Sequence, residues 1–238
     1  MGDVAREDYG TTTLTLRVEG PHAGQPVHRS GAPGGMAHAV MILLHGRGAT
    51  AESILTLADA LPLDGMAYLA PQAAGYTWYP NRFLAPLHTN EPWLTSALAA
   101  VGDLVTRAGA EGVPPDRVVL AGFSQGACLA LEYAVRHPRR YGAIVGLSGG
   151  LIGPPGTQWN ETGSLEGTPA FLGCSDSDVH IPAERVLESA DVLRRLNATV
   201  RAVLYPGMDH TVSPDEIAEV RALLRPLAPA GRRVGDGA

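Results

Sequence analysis

The chain has 238 residues, 45% apolar and 18% charged, a composition that suits one globular domain with a proper core and excludes a disordered or fibrous chain. A formal net charge of −6 with no dense Lys/Arg stripe speaks against a nucleic-acid binder, and no apolar run approaches membrane-spanning length, so neither nucleic acid nor membrane is an expected partner. Two cysteines, Cys128 and Cys174, stand in apolar contexts with no spacing that pairs them, and are expected as buried free thiols in a reducing cytoplasm.

In chain order, the N-terminus MGDVAREDYG has no basic start followed by an apolar stretch, so no signal peptide is expected. Residues 11–19, TTTLTLRVE, alternate like an edge strand, and the Gly/Pro/His-rich stretch 20–38 should hold a second, irregular edge strand. AVMILLHG (39–46) is the first strong apolar run, followed by a helix over 52–61 and a short buried strand at 67–71. Residues 72–92 are loop-like yet concentrate Tyr76, Trp78, Tyr79 and Phe83 in a chain with only three Trp, seven Tyr and three Phe. Leu94, Leu98, Val101, Leu104 and Val105 make one stripe of a helix over 93–109.

Val118 to Ala121 then form a strand pattern, and helical spacing of Leu129, Ala130, Tyr133 and Ala134 begins almost at once. Strands at 143–148, 169–174 and 200–205 alternate with helices over 182–196 and 213–224, with Pro182 and Pro214 at first-turn positions. Strands alternating with helices imply an α/β fold, a mostly parallel sheet covered on both faces. Residues 1–227 read as one domain and 228–238 as a polar, glycine-rich tail without order.

The five residues between strand and helix, Gly122-Phe123-Ser124-Gln125-Gly126, are too few to relax the turn. Glycine on either side lets the two backbones approach where a Cβ would clash, and the residue at the apex is exposed. Strand, G-x-S-x-G and helix in that order is a nucleophile elbow. A serine hydroxyl needs a base, and the base needs a carboxylate to fix its tautomer. In that architecture the acid and then the histidine follow the serine, on loops at the carboxyl ends of parallel strands. Of the histidines after Ser124, His137 ends the elbow helix, and His180 suits the rim of a site. His210, in the loop after strand 200–205, is the candidate base. The loop after strand 169–174 offers Asp176 and Asp178, which sequence position alone barely separates; Asp209 points away from its neighbour and reads as solvated.

The segments LLHGRGAT (43–50), GFSQGA (122–127), DVHIP (178–182) and GMDHTV (207–212), in this order and spacing, resemble the carboxylesterase/phospholipase branch of the α/β-hydrolases, which includes acyl-protein thioesterases, and most closely its small bacterial esterase-like members. The resemblance runs from near residue 40 to near residue 225. It implies the α/β-hydrolase fold without a separate lid domain, and ester hydrolysis without a cofactor or metal. In that pattern the acid stands four residues before a proline, as Asp178 does before Pro182, with Asp176 in reserve.

The developing oxyanion needs preorganised N–H donors. The amide of Gln125 follows the nucleophile directly, and the family pattern adds the amide of Arg47, with His45 orienting that loop. An apolar residue is expected at 47 in the thioesterases, so the arginine is a departure, read as extending into solvent or pairing with a carboxylate, with a preference for substrates bearing an anionic or polar group as the alternative. The aromatic 72–92 segment either packs down as a layer of core or lines a pocket; the resemblance points to Trp78 and Phe83, with Leu84, as one pocket wall, and Leu151, Ile152 and Trp159 in the 149–168 segment are candidates for the other. An open, shallow site suits short to medium acyl chains on a small-molecule ester.

A thioesterase or lysophospholipase would use the same machinery. A metal hydrolase would leave the elbow unexplained, and a non-catalytic binding protein would be expected to lack a triad member. Whether two copies form a homodimer is open.

Overall fold

The computed structural model describes residues 14–160 and 162–229. Most of the 228–238 tail and the start of the 11–19 segment lie outside them. Eight strands form one sheet in the order β1-β2-β4-β3-β5-β6-β7-β8. These are β1 (Leu14–Thr15), β2 (Pro26–Gly31), β3 (Ala39–Leu44), β4 (Met66–Pro71), β5 (Val118–Phe123), β6 (Ala143–Leu147), β7 (Pro169–Ser175) and β8 (Thr199–Tyr205). The β1–β2 and β2–β4 pairs are antiparallel, and every pair from β4 through β3 to β8 is parallel. This is the α/β-hydrolase arrangement.

Strand periodicity divides the interior into two layers. Val40, Ile42 and Leu44 of β3 join one core, and Ala39, Met41 and Leu43 the other. The first layer packs beneath α3 (Trp93–Ala110), α4 (Gln125–Arg136) and α5 (Ala183–Arg195). The second packs beneath α1 (Ala51–Leu55), α2 (Leu57–Ala60) and α6 (Pro214–Leu224). No helix among the described residues is long and apolar enough to cross a membrane.

The structure departs from the sequence reading in several places. Within the described part of 11–19 the strand is Leu14–Thr15, ending there because Leu16 and the residues after it turn back through a loop closed by Leu16 N–H to Gln25 O at 2.9 Å. The edge strand within 20–38 is regular, paired with β4 from Val27 to Gly31. The single helix over 52–61 is two short ones, broken at Thr56. Pro182 precedes α5 instead of opening it, and Ser213 caps α6 through a reciprocal pair with Glu216. Cys128 and Cys174 are both free and buried.

Candidate active site

Three loops at the carboxyl ends of β5, β7 and β8 meet over the middle of the sheet. At the first, Ser124 sits at φ 54° and ψ −118°, a conformation rare for any residue with a Cβ. Its N–H is anchored to Leu147 O on β6 at 2.9 Å. A Cβ at Gly122 would strike the backbone of Gly126, and one at Gly126 would strike the carbonyls of Leu44 and His45. The glycines therefore admit the amino end of α4 against both its own strand and the end of β3.

The second loop carries Asp178, whose side chain is fully enclosed. Its Oδ1 accepts the N–H groups of His180 (2.8 Å) and Ile181 (3.0 Å), which aims Oδ2 outward. There it lies 2.6 Å from His210 Nδ1, with the Cys174 thiol 3.7 Å away on its other side. Burial alone would raise the Asp178 carboxyl, but the bonds from His210, His180 and Ile181 together outweigh it and hold the group below its ordinary value. Burial first, and the neighbouring Asp178 charge second, push Cys174 up to about 12, so it stays a thiol and can donate.

The third loop brings His210. Its Nε2 stands 2.9 Å from Ser124 Oγ, and its ring lies between Phe123 and His180, each centroid 4.9 Å away. With Nδ1–H directed at Asp178, the Nε2 lone pair faces the serine hydroxyl. The loop is tied at both ends: Asp176 Oδ1 accepts the Gly207 N–H at 2.9 Å, and Glu216 Oε2 accepts the Ser213 N–H at 2.8 Å. Asp176 thus holds the histidine's loop, and Asp209 is exposed. Such a line can draw a proton from the hydroxyl and stabilise the imidazolium that results.

Beside it lies a cleft of about 350 Å³ whose lining includes Gly46, Arg47, Phe83, Ser124, Gln125 and His210. Phe83 alone of the expected wall residues lines it. Trp78, Leu151 and Ile152 are fully buried, and Leu84 packs against the same core. Trp78 is drawn inward because its indole N–H donates to His45 O at 2.8 Å, so the aromatic concentration is partly a core layer. Tyr79 of the aromatic segment also borders it, as do Phe123, Cys128 and Ile181, which no sequence pattern singled out for the cleft.

Side chains hold the cleft wall in ways that the sequence did not announce. Among the described residues the Arg47 guanidinium neither extends freely nor pairs with a carboxylate. It donates to the carbonyls of Tyr79 (2.9 Å), Pro80 (2.8 Å) and Asn81 (2.6 Å). Gln125 accepts the Trp78 N–H at 3.0 Å and donates to Tyr79 O at 2.8 Å. His45 receives the Ala73 N–H on Nε2 at 3.1 Å and meets Gly46 O through Nδ1 at 2.7 Å. His22, buried in the segment read only as Gly/Pro/His-rich, accepts from Ala74 N–H and meets Trp78 O. Among the described residues no group of three or more His, Cys, Asp or Glu is placed to hold a metal ion.

The sequence model of a family described as phospholipase/carboxylesterase matches residues 30–227. A crystal structure of a phospholipase/carboxylesterase from Dyadobacter fermentans superposes with a TM-score of 0.81 at 43% identity, covering 89% of this chain and 98% of that one. Acyl-protein thioesterase 1 of Gibberella zeae is 35% identical over 120 residues, 50% of this chain and 51% of its own length. The Yarrowia lipolytica protein of that name is 26% identical over 208 residues, 79% of this chain and 92% of its own. The match spans about half the length of the first of these relatives.

Proposed function

The chain belongs to the phospholipase/carboxylesterase family, and from that premise we propose that it is a serine hydrolase of short- to medium-chain carboxylic esters. The observation that carries this reading is the unbroken line Ser124 Oγ–His210–Asp178, with contacts of 2.9 and 2.6 Å, opening onto the cleft. Ser124 attacks the ester carbonyl as His210 Nε2 takes its proton. Asp178 keeps the imidazole in the right tautomer and stabilises its cation. The N–H groups of Arg47 and Gln125 receive the oxyanion, the second aided by the amino end of α4. His210 then returns the proton to the leaving alcohol, and water attacks the acyl-Ser124 intermediate by the same route reversed.

The cleft volume of about 350 Å³ lies at the small end of ligand sites, which favours short and medium acyl groups. The same residues could cleave a thioester, a reading supported by the relatives named acyl-protein thioesterase. The buried, unpaired thiols of Cys128 and Cys174 suit a reducing compartment and so cytoplasmic residence.

The test is initial rates on p-nitrophenyl esters of rising acyl length beside matched acyl thioesters, for the wild type and Ser124→Ala. Saturable hydrolysis that peaks at short or medium chains and drops about 10⁴-fold or more in the variant supports the reading. Equal rates for the two proteins overturn it, and a strong preference for the thioesters moves the assignment to thioesterase.

A further inference from the structure

The chain as a whole is acidic, at −6. Its cleft is the reverse: among the described residues the lining includes Arg47 and Arg82 beside His180 and His210, and no Asp or Glu. The Asp178 carboxylate behind His210 is enclosed and engaged by that ring. The two guanidiniums are not equivalent. Arg47 is committed to three backbone carbonyls. Arg82 is exposed and, among the described residues, makes no ion pair or side-chain hydrogen bond.

The backbone that presents Arg82 is nevertheless fixed on both sides. Arg47 grips the three residues before it, and the fully buried Asn90 accepts the Asn81 N–H at 2.8 Å and donates to the Arg82 carbonyl at 3.3 Å. A cation with no partner among the described residues, on a mount held from both sides at the edge of a cleft, is arranged to receive an anion that arrives with the substrate. Guanidinium is suited to this because its planar fork matches a carboxylate in two parallel bonds and it stays charged at every working pH.

We propose that Arg82 is a specificity-determining residue that selects esters carrying an anionic group, a carboxylate above all, at the end away from the scissile bond. The inference rests on the serine-hydrolase reading of the same cleft. In the Michaelis complex the substrate carboxylate pairs with Arg82 while the ester carbonyl faces the Arg47 and Gln125 amides. The bond is to a group that takes no part in the reaction and is made equally in ground and transition states, so it acts on KM and not on kcat.

The experiment compares anionic and neutral esters of matched length in two arms. The acyl-side arm sets mono-p-nitrophenyl adipate against p-nitrophenyl hexanoate, and the leaving-group arm sets 4-acetoxybenzoate against its methyl ester. Each is run on the wild type, Arg82→Gln and Arg82→Lys. The readout is the anionic-to-neutral ratio of kcat/KM, from which intrinsic ester reactivity and any general loss of activity cancel when variant is divided by wild type.

The expected result is a ratio that falls about tenfold in Arg82→Gln in one arm, through KM, and is mostly restored in Arg82→Lys. The wild-type ratio in that arm should also decline as salt is raised. The arm that responds identifies which side of the ester bears the anion. Ratios unchanged by Arg82→Gln in both arms overturn the assignment even if every ester is hydrolysed. Hydrolysis of no ester by the wild type instead overturns the serine-esterase reading, and the assignment with it.

Discussion

The side-chain amide of Gln125 reaches the carbonyl of Tyr79 at 2.8 Å, joining the residue after the nucleophile to the wall of the cleft. Its oxygen takes the Trp78 N–H as well, so one side chain satisfies a buried donor and a buried acceptor of the 77–79 segment. Gln125→Leu leaves the backbone N–H at 125 in place but strands the Trp78 N–H, while the Tyr79 carbonyl keeps its bonds from Arg47 and Thr77. The expected cost is about 1–3 kcal/mol, seen as a lower urea midpoint, together with a fall in kcat/KM as the wall loosens. An unchanged midpoint would mean that the segment is held without it.

The two neighbouring aspartates are separable by substitution. Asp178→Asn removes the acceptor that fixes the His210 tautomer and should cut kcat by about 10⁴ with the fold intact. Asp176→Asn keeps a side-chain oxygen able to accept the Gly207 N–H and should lie within about threefold of wild type. Steady-state kinetics on one p-nitrophenyl ester decides the matter, and a larger loss at 176 than at 178 would exchange the roles.

Acid should weaken the protein through two histidines that do no chemistry. His22 and His45 each use one ring nitrogen as an acceptor, from Ala74 and Ala73, which requires a neutral ring. Burial lowers both below their ordinary value of 6.5, more than their carbonyl partners raise them. The unfolded chain therefore binds these protons at higher pH than the folded one. Stability should be undiminished above 6.5 and decline as pH falls below it. Urea midpoints at about pH 7.5 and about pH 5.5 measure this, and His22→Asn should flatten part of the slope. Equal midpoints at the two pH values would refute the idea.

Gly126 has no room for even one methyl group. The carbonyls of Leu44 and His45 occupy the place where a Cβ would stand, and both belong to the backbone. Gly126→Ala must therefore push α4 away from β3, at an expected cost of about 3 kcal/mol or more. Gly48→Ala, where a Cβ meets nothing but φ is +77°, should cost about 1 kcal/mol. Chemical denaturation of the pair tests the contrast, and equal losses would contradict it.

Much of this was legible in the chain because strand, turn and helix signals are local. The elbow could be read from its glycines and the apolar runs beside it, and His210 from its place after β8. Asp178 is separated from Asp176 only by the family pattern of an acid four residues before a proline, for which the structure supplies a reason: its Oδ1 accepts the two amides before Pro182, leaving the second oxygen for another partner. The cleft walls were not legible in the same way. Trp78 and Phe83 lie in one aromatic segment and both are buried, yet only the second borders the cleft, the first being drawn inward by His45 O, far away in sequence. Likewise nothing local in the chain says that the Arg47 side chain will be spent on carbonyls more than thirty residues on.

That clamp bears on how such a protein can diversify. The segment from Tyr79 to Asn81 is gripped through its main-chain oxygens by a residue rooted beside β3, and main-chain oxygens are the same whatever side chains the segment carries. Substitutions at Arg82 or Phe83 can therefore redraw what the cleft accepts while its backbone stays where it is. Substrate range becomes a trait that can drift one codon at a time, with the reaction centre insulated from the change.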